Sequence, residues 1–470
     1  MKFPVDFQAN ILKPHGRNFA AYLMIRFKNQ SDNDPDWQNN IRAWLSKLAK
    51  DEYITSHKQQ CQDTKQFKQD SDYQAFVVSI AISNTGFSRM GIDAPLSIKD
   101  GPFLNGMNRP QRILKLHDYD RKAIEQLYRI ADTQHIGIDA VLSIAHNDLE
   151  TLQEEVKRVK GESAFQKAVY HCFEEYGFLK KSKNAGELAI GPLGFSDGHS
   201  NAGDFKDAWE IAAVKEETAD NQPEPSYGSF LAFRKMEVNM GYFEYLQQSL
   251  VKKIRESEHY QPDPNLDEKK EMERVQGFAA AQMAGRYNNG LPLILDSKPR
   301  AYKEWIDQGK AGKIPKDPAF NYGGKNDLRC PVHAHLRAIN PRKKNKSSAP
   351  IIRRSLNFCS PEEYKKNNFK ENNTIINVDI KGILFVSYQK SLSENFEPLF
   401  DNIRNHKDAL AYRQRETDPI PQRDFSVNWG EPHKISQNID GTELTSFKGG
   451  QYFYAPSLTF LTNLKKPPLA

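Results

Sequence analysis

Cysteine is scarce: four residues (Cys61, Cys172, Cys330 and Cys359) in a chain of 470 are too few and too irregularly spaced for a disulfide scaffold. Reduced thiols and a cytoplasmic location are expected. Long hydrophobic runs are also missing. With 38% hydrophobic residues and a negative mean hydropathy, no stretch approaches the roughly 18 apolar residues that cross a bilayer, so no membrane span is expected. The first residues, MKFPVDFQ, lack an apolar stretch and a small-residue cleavage site, and no signal peptide is expected. Charge of one sign is not in excess either. Lys and Arg number 66 against 60 for Asp and Glu, a net of +6. The densest basic run, Arg342 to Lys346, has no interleaved aromatic residues and reads as a solvated loop rather than a nucleic-acid patch.

What is present is a recurring strand-then-helix theme. Strands are expected at 20–27 (AAYLMIRF), 75–82 (AFVVSIAI) and 140–145, with an amphipathic helix over 37–48. Asn147 to Glu150 reads as a helix start, with Asn147 as N-cap, and Leu149, Leu152, Val156 and Val159 then form one apolar stripe. The acidic, proline-containing stretch 216–226 (EETADNQPEPS) reads as a linker or long surface loop, placing a domain boundary near residue 220. Beyond it the theme repeats. A strand over 228–238 precedes a helix presenting Phe243, Leu246, Leu250 and Ile254, and a helix over 271–284 follows. A strand over 375–389, a helix carrying Phe396, Leu399 and Ile403, and an apolar segment over 452–461 close the chain. The expectation is two domains, 1–220 and 221–470, forming a duplicated α+β sandwich.

Three segments concentrate reactive side chains. In Gly191-Pro192-Leu193-Gly194-Phe195-Ser196-Asp197-Gly198, three glycines and a proline shape a tight loop, with Asp197 either presented at its tip or bonded to its own backbone. In Cys330-Pro331-Val332-His333-Ala334-His335, two imidazoles and a thiol suggest metal or iron binding. A zinc site made of Cys330, His333 and His335 would need further ligands, and the chain has no Cys-x-x-Cys, no His-Glu-x-x-His and no Cys-x-x-Cys-His. One histidine suffices for a non-covalent haem. In Ile351-Ile352-Arg353-Arg354, two guanidinium groups in an apolar context either meet an anion or reach water along a strand edge.

Together these segments resemble the dye-decolourising peroxidases, haem enzymes of a duplicated ferredoxin-like fold. Gln8-Ala9-Asn10-Ile11-Leu12 is similar to the family's opening, and Gly194-Phe195-Ser196-Asp197-Gly198 matches its Gly-x-x-Asp-Gly signature. Gly285-Arg286-Tyr287 resembles its Gly-Arg-Trp segment, and Ala334-His335-Leu336-Arg337 with Asn340-Pro341-Arg342 its proximal-histidine segment. Gly382 to Gln389 and Gly449-Gly450-Gln451-Tyr452-Phe453 are similar to its closing segments. The resemblance implies one non-covalent haem b per chain, with His335 as proximal iron ligand, Asp197 as distal acid-base group and Arg353 as distal arginine. His333 falls at a variable place. The family continues with Pro-Tyr-Gly where this chain has Asn357-Phe358-Cys359, which leaves Arg354 as the alternative distal arginine. An acidic residue after the GILFVSYQ strand commonly holds the proximal histidine; here it is Glu397, with Glu394 as the alternative.

The activity so implied is reduction of hydrogen peroxide with oxidation of bulky dyes and phenols. Asp197, with an ordinary carboxylate pKa of about 3.9, would stay ionised where a histidine of about 6.5 is protonated, so activity should persist in acid. His199 is the competing base in the same loop. Bulky dyes cannot enter a peroxide-sized pocket, and nineteen tyrosines and five tryptophans are available to carry electrons from the surface. The other reading is a haem-binding or iron-releasing protein of the same fold, which would need neither Asp197 nor Arg353. A homo-oligomer is compatible with either.

Overall fold

The computed structural model describes residues 6–32, 34–70, 72–95, 100–107, 137–181, 189–196, 205–217, 225–295, 320–322, 329–342, 349–366, 378–405, 422–428, 432–438 and 444–464. Asp197 and His199 lie outside them. The N-terminal half runs β1 (Phe19–Phe27), α1 (Trp37–Lys50), β2 (Val77–Ile82), β3 (Ala140–His146), α2 (Leu149–Gly161) and β4 (Val169–Phe178). All its strands pair antiparallel, in the order β2-β3-β1-β4. The second half repeats the plan with β5 (Tyr227–Val238), α3 (Met240–Glu256), α4 (Glu268–Ala284), α5 (His335–Ile339), β6 (Ile352–Arg353), β7 (Leu356–Cys359), β8 (Ile380–Gln389), α6 (Glu397–Asn405) and β9 (Thr445–Ala455). Its sheet order is β9-β5-β8-β7, the same order as in the first half. This is the expected duplicated ferredoxin-like α+β fold.

The two sheets do not stand apart. Tyr454 of β9 pairs with Ile82 of β2, and Asn357 of β7 pairs with Phe178 of β4, so eight strands close into one ring. Closure removes the exposed edges that would otherwise invite aggregation. Strand alternation then sorts the apolar side chains. Tyr22, Met24, Phe233, Val386 and Tyr388 face a cluster inside the ring, and Leu23, Ile25, Ala232 and Tyr452 face the helices outside it. The segment around Phe7, Ala9 and Ile11 is drawn into the inner cluster, and Gln8 pins it by donating to Ile80 O at 3.0 Å and Pro456 O at 2.7 Å.

The stripes of α2 and α3 are buried as their spacing predicts. Three local expectations differ. The N-cap of α2 is Asp148, which accepts from Thr151 N at 2.8 Å; Asn147 accepts from Asn18 N at 3.2 Å instead. The apolar run over 452–461 is split after Ala455, where Pro456 cannot donate to a ladder and Ser457 caps a helix, Leu458–Asn463. The ends of the 216–226 stretch are not a solvated linker: Glu216 and Ser226 are buried, and Glu216 N donates to Ser226 O at 2.9 Å.

Candidate functional site

Helices α3 and α4 form a third apolar cluster outside the ring, with Phe243, Leu250, Phe278, Tyr287, Cys330 and Ala334 in it. Gly285 ends α4 in the left-handed conformation, φ +86°, which favours glycine. A Cβ there would sit 3.4–3.5 Å from Leu336 Cβ, Ala334 Cβ and Cys330 Sγ, so the turn after α4 packs directly on the segment holding His335. The same turn holds the glycine loop. Ser196 N donates to Asn288 O at 2.7 Å, and within the loop Gly191 N donates to Phe195 O at 2.9 Å. Ser196 is the last described residue before Asp197. The turn therefore ties the 191–196 loop to the His335 segment.

His335 opens α5. Its side chain keeps open surface, yet burial lowers its imidazole pKa below the ordinary value. A lowered pKa favours the neutral ring. His333 is enclosed at 1% exposure. Arg337 is held through its guanidinium by Cys330 O and lies 5.4 Å over the Tyr322 ring. Among the described residues no three His, Cys, Asp or Glu side chains are grouped to hold a metal ion, so Cys330, His333 and His335 do not make a zinc site.

α5 packs on α6, where Asn402 Nδ2 donates to Ile339 O at 3.1 Å. α6 begins with Glu397 and follows a π-helical turn, Leu392–Phe396, closed by Glu397 N–H to Leu392 O. Pro398 supplies a reason for the wide turn: it has no N–H for the carbonyl four residues back, and its ring would clash there. The turn buries Asn395, Phe396 and Glu397 in succession and leaves Glu394 exposed. Glu397 is 0% exposed and accepts from Tyr452 OH at 3.2 Å.

The sheet distinguishes the two arginines. Arg353 lies opposite Ser387, Ser387 opposite Ala232, and Ala232 opposite Tyr452. Cross-strand partners share a face, so Arg353 belongs to the outer face on which Tyr452 reaches Glu397. Burial pushes its guanidinium pKa down to about 10. Arg354 points the other way, donating to Asn10 O at 2.9 Å, Ile11 O at 2.8 Å and Arg353 O at 3.1 Å. It fastens the N-terminal segment inside the ring. The contacts of Arg354 with Asn10 O and Ile11 O, of Tyr452 OH with Glu397, and of Ser196 N with Asn288 O all join residues far apart along the chain, which leaves no local signal for them.

A family model described as the DyP dimeric α+β barrel domain matches residues 6–178, and one described as Dyp-type peroxidase, C-terminal, matches residues 189–417. The chain belongs to the dye-decolourising peroxidase family, haem-dependent oxidoreductases. Among curated relatives, the multifunctional dye peroxidase DyP2 of Amycolatopsis sp. is 24% identical over 98% of this chain and 95% of its own length. A dye-decolorizing peroxidase of Auricularia auricula-judae is 23% identical over 81% of this chain and 74% of its own. The crystal structure of a DyP-type peroxidase from Anabaena sp. superposes with a TM-score of 0.74 at 23% identity, covering 98% of this chain and 94% of that one. Among the described residues no helix is long and apolar enough to cross a membrane.

Proposed function

We propose that this chain reduces hydrogen peroxide and oxidises bulky organic reductants such as dyes and phenols, using one haem b held without a covalent bond by His335. The observation that carries the reading is His335 itself: an imidazole whose pKa is lowered toward the neutral form and which keeps open surface, at the head of a helix packed on the one that begins with Glu397. A histidine must be neutral to ligate iron. The surroundings fit such a group. Ser196 Oγ and Asn288 Oδ1, where the Asp197 loop meets the turn after α4, are buried polar atoms without a protein partner, and Arg353 brings a cation to the outer face. Haem, when bound, supplies the iron at which the peroxide O–O bond is cleaved.

The chain's own groups then divide the remaining work. Asp197 takes the proton from the inner peroxide oxygen and returns it to the outer one, so that water leaves. Arg353 stabilises the negative charge that develops on the departing oxygen, a role a guanidinium fills at any working pH. Its assignment over Arg354 is supported by strand alternation and by Arg354's commitment to the carbonyls of Asn10 and Ile11. Glu397 accepts the second imidazole N–H of His335 and raises the ring's basicity; its complete burial supports it over the exposed Glu394.

The test is the visible spectrum of haem-reconstituted protein before and after one equivalent of hydrogen peroxide, for the parent chain, His335→Ala, Asp197→Ala and His199→Ala. The haem band should be lost in His335→Ala, and the peroxide-driven change slowed in Asp197→Ala but not in His199→Ala. A parent chain that takes up no haem would refute the reading.

A further inference from the structure

We propose that Asp100, in the N-terminal half of the chain, is a positioning residue for Glu397. Asp100 precedes the short helix Gly101–Asn105 as its N-cap, where an aspartate ordinarily accepts from its own helix. Its carboxylate makes no such bond. It is turned instead onto the start of the π-helical turn before α6. Asp100 Oδ2 accepts from Ser391 Oγ at 3.0 Å, Leu392 N at 2.9 Å, Ser393 N at 3.3 Å and Ser393 Oγ at 3.3 Å. The side chain is buried at 4% exposure, and its Oδ1 has no partner. An orphaned buried oxygen is unfavourable, and an aspartate that served only its own helix would have no reason to carry one here.

What the contact controls is the phase of the turn. The π turn starts at Leu392 and closes at Glu397 N, so whatever fixes Leu392 and Ser393 fixes which way residue 397 faces. An ordinary α turn from the same start would rotate Glu397 away from Tyr452 OH and from the helix that begins with His335. Ser391 assists, since its Oγ accepts from Glu394 N at 3.1 Å while donating to Asp100. One carboxylate from the first half of the chain thus holds the acid that faces the proximal histidine in the second half. Asp100 acts in this way only if Glu397 accepts from His335, as proposed above.

The test is the iron–histidine stretching band of the ferrous, haem-loaded protein by resonance Raman, which reports the hydrogen bond on the histidine rather than turnover. Glu397→Gln should shift the band to lower frequency. Asp100→Ala should shift it in the same direction, the double variant no further than Glu397→Gln alone, and Asp100→Asn, whose amide oxygen can still accept from Leu392 N and Ser393 N, should restore most of it. A shift in Glu397→Gln with none in Asp100→Ala overturns the role of Asp100 and leaves that of Glu397 standing; a merely structural contact would lower the melting temperature and leave the band in place. No shift in Glu397→Gln overturns the reading of Glu397 itself, and with it this role for Asp100. If Asp100→Ala does not fold, Ser391→Ala and Ser393→Ala each remove one hydroxyl donor; a smaller shift in the same direction supports the role, and an unmoved band in both overturns it.

Discussion

Replacing each arginine of the Arg353-Arg354 pair should separate stability from chemistry. Arg354→Met keeps the side chain's length and removes its donors. The carbonyls of Asn10 and Ile11, residues exposed by 2% and 0%, then lose the bonds of 2.9 and 2.8 Å that satisfy them. A buried acceptor left unpaired costs about 1–3 kcal/mol, which sums to roughly 2–6 kcal/mol for two. Relief of a guanidinium that burial already disfavours, its pKa pushed down to about 10, offsets part of this, so a net loss of about 2–4 kcal/mol is expected. Arg353→Leu leaves the bonds to Asn10 O and Ile11 O in place and should cost less stability than Arg354→Met. Its effect belongs to turnover: loss of one preorganised charge-stabilising group lowers kcat/KM for peroxide about 10²–10³-fold. Denaturant midpoints of both variants, measured alongside steady-state peroxide kinetics, check the pair. The reverse pattern, Arg354→Met losing peroxide reactivity at an unmoved midpoint while Arg353→Leu turns over normally, would refute the assignment by strand alternation.

Gly285→Ala places a methyl group against Leu336, Ala334 and Cys330 at a φ of +86°; about 1–2 kcal/mol of stability should be lost, with weaker haem retention in a haem-transfer assay. Glu216 accepts from Ser457 N, Ser457 Oγ and Tyr454 OH, and burial raises its pKa from the ordinary 4.5 to about 7. A raised carboxyl favours the folded state below its unfolded pKa and loses that contribution as pH rises through 7, roughly 3 kcal/mol in all. Glu216→Gln should therefore flatten the fall of melting temperature between about pH 5 and pH 8, and parallel curves for the two proteins would show that Glu216 titrates normally. Asp197→His should move the acid limb of the peroxide pH profile upward toward the ordinary histidine pKa of about 6.5; an unmoved limb would point to a base other than residue 197.

Much of the architecture was legible because it depends on local periodicity. The runs that became β1, β2, β5 and β8 are apolar enough to be read directly, and the stripes of α2 and α3 lie at helical spacing. Errors arose where neighbouring residues compete for one role. Asn147 and Asp148 are both good caps, and only Asn18, 129 positions away, decides between them by engaging Asn147. Acidic composition marked 216–226 as solvated, but Glu216 turns inward because three donors from the far end of the chain await it. The candidate site divides in the same manner. His335 and Asp197 stand in short motifs, so pattern suffices to name them as candidates. Arg353 and Arg354 differ in which side of the sheet each takes, and that difference is visible only when Ser387, Ala232 and Tyr452 line up across the sheet. Glu397 against Glu394 turns on one extra residue in a helical turn, for which Pro398 was the only signal in the chain. Ring closure explains why these answers are nonlocal: it passes the N-terminal segment under Arg354, so that the residue just past β6 braces the interior while Arg353, at the end of β6, takes the outer face.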